Sequence, residues 1–107
     1  MAMKLQMMAV IGMFVLIGTS HSDAAEIADG EEIYSSVCRN CHGPTGKGMA
    51  SFPALAGNDA EYIGTRLTQY RAGETLGPNT PLMMPLAADL SDDDIASLAA
   101  YISTEFQ

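Results

Sequence analysis

Positive charge is scarce in this chain: five Lys and Arg stand against 13 Asp and Glu, a net charge of -8 over 107 residues. So acidic a surface repels phosphate backbones, which excludes nucleic acid as a partner. Thiols and imidazoles are equally few, at two cysteines and two histidines. One of these, His21, falls in a segment expected to be removed, and the three that remain are one short of a four-ligand structural zinc site. There is no internal repeat, no low-complexity tract and no convincing strand-like alternation, so the expected class is all-α.

Long apolar runs are also missing, with one exception near the amino terminus. Lys4 is followed by an apolar stretch from Met7 to Ile17, then by Thr19, Ser20 and small residues. That is the pattern of a secretory signal peptide, and its core is shorter than the roughly 20 residues that span a bilayer. Residues 1–24 are therefore expected to be cut near Ala24/Ala25, leaving one domain over 25–107; membrane association follows only if the leader is retained. Such a domain has little core of its own and gains most from a staple.

What the chain does have is Cys38-Arg39-Asn40-Cys41-His42. Two thiols three positions apart lie within one helical turn, where each reaches a vinyl group of the same porphyrin to form a thioether bond. The following imidazole then lies beneath the iron. This C-x-x-C-H spacing is the attachment motif of a covalent haem c. A redox dithiol of the thioredoxin kind sits after a strand in a β-α-β pattern, and no strand pattern precedes Cys38.

Three helices are expected around this motif. The first starts near Asp29, paired with Glu32 as a capping box, and carries Ile33, Tyr34 and Val37 on one face into Cys38. The second starts near Asn58 with Glu61 as capping partner, repeats Tyr62, Ile63, Leu67 and Tyr70, and ends at Gly73. The third opens at Ser91, with Asp92, Asp93 and Asp94 at the positive end of the helix dipole and Ile95, Leu98, Ala99 and Ile102 as its buried stripe. The aspartates are explained by that position and receive no function.

Between the second and third helices, Gly77 to Leu86 is punctuated by Pro78, Pro81 and Pro85, which excludes helix throughout. It contains Met83 and Met84. A thioether in an apolar loop is ordinarily core filler, but with a haem motif upstream it is the expected sixth iron ligand, which favours reduced iron and raises the potential.

Taken together, these segments resemble the small single-haem bacterial class I cytochromes c. The likeness runs from Gly30-Glu31-Glu32-Ile33-Tyr34 through the haem motif and Gly46-Lys47-Gly48, then Phe52-Pro53-Ala54-Leu55-Ala56-Gly57, Pro81-Leu82-Met83 and Leu90-Ser91 to Tyr101-Ile102. The resemblance implies haem held by Cys38 and Cys41, with His42 as the proximal iron ligand. Its distal methionine, eight residues before the serine cap, falls on Met83, with Met84 the runner-up because Met84-Pro85 imitates the family's Met-Pro pair. It also implies that the Pro53 carbonyl accepts the proton of His42, and that haem attachment takes place outside the cytoplasmic membrane, in the periplasm.

A six-coordinate iron leaves no vacant site for oxygen, peroxide or substrate, so the expected function is one-electron transfer and not catalysis. Redox partners with a basic docking patch suit the acidic surface, and their association slows as salt rises. The expected state is a monomer or weak dimer. Two alternatives stay open: a haem subunit of a larger dehydrogenase, for example of sulfur metabolism, and a five-coordinate haem enzyme or gas sensor. The second has no distal histidine to draw on, because His42 is the only one left after the leader.

Overall fold

The computed structural model describes residues 12–13 and 24–107. The expected leader lies, but for Gly12, Met13 and Ala24, outside the described residues. No helix among the described residues is long and apolar enough to cross a membrane.

The described domain is helical: α1 (Ala24–Ile33), a π-helical turn (Tyr34–Cys38), α2 (Arg39–His42), α3 (Ala60–Arg71), α4 (Thr80–Ala88) and α5 (Asp92–Glu105). Among the described residues the only extended pairing is a single bridge between Met49 and Phe52. The three expected helices are present, and α4 is a short addition.

The first helix differs from expectation in its start. It is already formed at Ala24, and Asp29 lies in its interior instead of capping it. Alanine and glutamate before Asp29 favour helix strongly enough to override the capping-box pattern. The helix then runs on through the π turn into the haem motif. A π turn widens the helix by one residue and shifts the side chains that follow, a device common at functional sites.

The second helix starts one residue later than expected. Asp59, not Asn58, is its cap, accepting from the Tyr62 N–H at 2.7 Å, while the Asn58 amide donates to the Leu55 carbonyl at 3.1 Å. Gly73, at φ +81°, ends the segment as expected. The third is capped by Ser91 in a reciprocal box with Asp94, and Ile95, Leu98, Ala99 and Ile102 are all buried.

The largest correction concerns 77–86, where helix begins at Thr80. Pro81 sits in the first turn, where a missing N–H costs nothing, and Pro85 lies inside the helix. The buried Thr80 hydroxyl organises the entry by accepting from the N–H groups of Leu76 and Gly77, at 3.0 and 2.9 Å. The proline count exaggerated the obstacle because one of the two helical prolines occupies a position that tolerates it.

The core forms where α1 and α3 pack on α5, with α4 against α3. Tyr34, Ile63, Leu67, Leu98, Ile102 and Phe106 are buried in one cluster. Tyr34, Phe106 and the partly buried Tyr101 meet tilted or edge-to-face at centroid distances of 4.9 to 5.7 Å. Backbone meets backbone where α1 crosses α5: a Cβ on Gly30 would strike the Ser97 carbonyl oxygen and come within 2.7 Å of the Tyr101 Cβ. We expect Gly30→Ala to cost about 3 kcal/mol by overpacking, lowering the melting temperature of the haem-loaded protein by more than about 10 °C. Gly64→Ala is the contrast, since its Cβ would make an ordinary 3.9 Å contact with Ala99. It should melt no lower than the parent, and equal losses in both variants would refute the crossing argument.

Candidate cofactor site

The helices enclose an apolar cavity of about 450 Å³. Cys38, Cys41 and His42 line it from the end of the first helical run, Tyr62, Ile63, Arg66, Leu67 and Tyr70 from α3, and Leu82, Met83, Leu86 and Ala87 from α4. Both cysteines are free and partly exposed. Burial, and after it the charge of Cys41, pushes the Cys38 thiol up to about 11, so it stays protonated before attachment.

His42 is buried, and its Nδ1 lies 2.8 Å from the Pro53 carbonyl oxygen. A carbonyl only accepts, so Nδ1 carries the proton and Nε2 of the neutral ring keeps its lone pair, as a metal ligand must. The loop that delivers Pro53 is built for this approach. The Gly48 N–H donates to the His42 carbonyl at 2.9 Å, and the Leu55 and Ala56 N–H groups share the Gly46 carbonyl at 2.7 and 3.0 Å. Gly48 adopts φ +76°, and a Cβ there would sit 2.5 Å from the Phe52 carbonyl oxygen, so only glycine fits.

Two further contacts brace the motif. The Tyr34 hydroxyl donates to the Gly43 carbonyl at 2.6 Å, and burial pushes its pKa up to about 12, so it remains a donor at ordinary pH. Across the cavity mouth, the Asn79 amide donates to the Ser51 carbonyl at 3.2 Å, linking the loop before α4 to the loop before Pro53. Neither contact has a local sequence signature, since the partners are far apart in the chain.

The structure thus brings Cys38, Cys41, His42 and Met83 to one cavity, with Pro53 on the histidine. Met84 does not line it. Leu82, Met83, Leu86 and Ala87 share one arc of α4, and Met84, a further 100° round the helix from Met83, falls outside it. Arg66 also lines the cavity, with its guanidinium 5.2 Å from the centre of the Tyr62 ring. The sequence reading passed over it, although it shares the α3 stripe with Tyr62, Ile63 and Tyr70. Arg71, at the end of that helix, donates to the Leu90 carbonyl at 3.1 Å and pairs with Asp92 at 2.6 Å. Asp92 therefore has a partner beyond the helix dipole, one that ties the start of α5 to α3.

An all-helical domain that gathers two thiols and a correctly protonated imidazole at one apolar cavity defines a haem-binding domain. The cytochrome c family model matches residues 27–105, and the chain belongs to that family. It is 42% identical over 83 residues to cytochrome c-554(548) of Halomonas halodenitrificans, covering 77% of this chain and 99% of that one. It is 40% identical over 88 residues to a thiosulfate dehydrogenase electron acceptor of Stutzerimonas stutzeri, covering 73% of this chain and 39% of that one. The solved structure of reduced cytochrome c4 from Pseudomonas stutzeri matches with a TM-score of 0.70 at 34% identity, over 79% of this chain and 50% of that one. The fold is that of a class I cytochrome c, the cofactor is covalently attached haem c, and the protein is an electron carrier.

Proposed function

We propose that this chain carries one electron at a time between redox proteins in the periplasm, with Cys38 and Cys41 as the thioether attachments and His42 and Met83 as the axial ligands. The observation that carries this reading is the single apolar cavity lined by all four residues, drawn from two separate helical segments. Haem c supplies a one-electron iron couple when bound. The chain's own residues do the rest. Pro53 fixes the His42 ring and its tautomer, Met83 offers a soft thioether, and the aliphatic lining keeps water away, so little reorganises when the charge changes.

The acidic composition supports a partner with a basic docking face, and a leader over 1–24 that delivers the domain 25–107 supports the periplasmic setting. The likeness to a thiosulfate dehydrogenase electron acceptor favours a second reading, in which the donor is a dehydrogenase. Both readings share the same ligation.

The test is an optical spectrum of the haem-loaded protein in both oxidation states, with carbon monoxide added to the reduced form. Sharp reduced haem c bands, a near-infrared methionine band when oxidised and no response to carbon monoxide are expected. A strong carbon monoxide shift would mean an open iron and would overturn the carrier reading in favour of a haem enzyme or sensor.

A further inference from the structure

Helix α4 carries Met83 but is poorly held by its own backbone. It has nine residues, and Pro85 inside it has no N–H to donate to the carbonyl one turn earlier. A helix so short depends on its ends and its packing for its position. The entry is fastened by Thr80, whose hydroxyl accepts from Leu76 and Gly77, and by the Asn79 amide on the Ser51 carbonyl. The exit is fastened from α3 by Arg71. This guanidinium donates through Nη1 to the Leu90 carbonyl at 3.1 Å and through Nη2 to an Asp92 carboxylate oxygen at 2.6 Å. The Leu90 N–H in turn donates at 3.1 Å to the carbonyl of Ala87, a fully buried residue of α4. Arg71 therefore reaches the last turn of α4 through one short stretch of backbone.

The side chain of Asp92 is 90% exposed and that of Arg71 only 28%, so water screens the ion pair and the bond to the Leu90 carbonyl is the stronger tie. Leu90 lines the cavity and packs against the core, whereas Arg71 stands outside the cavity. We propose that Arg71 is a positioning residue for Met83: it clamps the exit of α4 to α3 and thereby slows release of the thioether from the iron. The proposal rests on the reading that Met83 is the axial ligand. For the thioether to leave, α4 must draw away from α3, and with Arg71 in place that movement breaks a charged hydrogen bond. Methionine ligation favours reduced iron, so oxidised iron holds the thioether less tightly and the clamp matters most there.

The experiment mixes oxidised, haem-loaded protein with saturating imidazole, which binds only after Met83 has left, and follows loss of the near-infrared methionine band. In R71Q the limiting rate should rise roughly threefold to tenfold, the effect of a charged hydrogen bond discounted for its partial exposure. D92N keeps the Leu90 bond and should stay within about twofold of the parent. Gly30→Ala loosens the α1–α5 crossing, away from α4, and should also stay within about twofold. Because Arg71 stands off the cavity, the ratio of oxidised to reduced R71Q at a fixed ambient potential should match the parent's within about twofold. R71K, whose single ammonium cannot form both bonds, should fall between parent and R71Q. It decides the question if R71Q does not hold haem, and a rate equal to the parent's would then overturn the proposal. An R71Q rate within about twofold of the parent, with or without a moved potential, would overturn it, and so would equal acceleration in Gly30→Ala, which would mean that the rate follows overall stability. A parent protein without the methionine band would instead overturn the reading beneath it.

Discussion

Replacing Cys38 and Cys41 together by alanine should abolish covalent haem and, with it, the folded domain. The cavity measures about 450 Å³. Its walls are mostly apolar, so without the porphyrin they face water instead of an apolar body. A domain of this length has about 4 to 13 kcal/mol of net stability in total. The cavity faces α3 and α4 as well as the haem motif, so without the porphyrin these elements lose the body they pack against. The expected result is a chain with little helical circular dichroism, no haem stain after denaturing electrophoresis, and rapid loss to proteases. A double variant that kept native helix content without haem would show that the α1–α5 contact suffices for folding. A single replacement should be milder, because the remaining thioether still tethers the porphyrin.

Much of this arrangement was legible because local chemistry determined it. The haem motif is contiguous, the α5 stripe repeats at helical spacing, and Ser91 with Asp94 forms its cap within four residues. The Pro53 contact came from family likeness, and it depends on Gly48 folding the loop back over eleven positions to His42. What stayed hidden was set by long-range packing. The π turn at Tyr34–Cys38 leaves no compositional mark, since its residues suit an ordinary helix. Helix α4 was obscured by Pro81 and Pro85, although Thr80 organises the turn before them. Arg71 and Asp92 stand 21 positions apart, so only the folded chain brings them together, and nothing in the local sequence marks Arg66 as facing a cavity. The assignment of charge to a cavity wall requires knowing where the wall is.

Met83→Ala should open the iron while Met84→Ala leaves it closed. Met83 lines the cavity beside Leu82, Leu86 and Ala87, and it packs against the core cluster while remaining partly exposed. Met84 is also partly exposed but lies off the cavity-lining stripe of the same helix. Removing the thioether at 83 takes away a donor that favours reduced iron, so the reduction potential should fall. The near-infrared methionine band should vanish, and carbon monoxide should bind the reduced protein, going from no detectable uptake to one per haem. Lost packing should cost about 2 kcal/mol, the low end for a methionine truncated at a partly buried site. Met84→Ala should cost about 1 kcal/mol or less and keep both the band and the resistance to carbon monoxide. The reverse pattern would place the ligand at 84 and require α4 to turn by about 100° when haem is attached. Absence of the band from the parent protein itself would remove methionine ligation altogether.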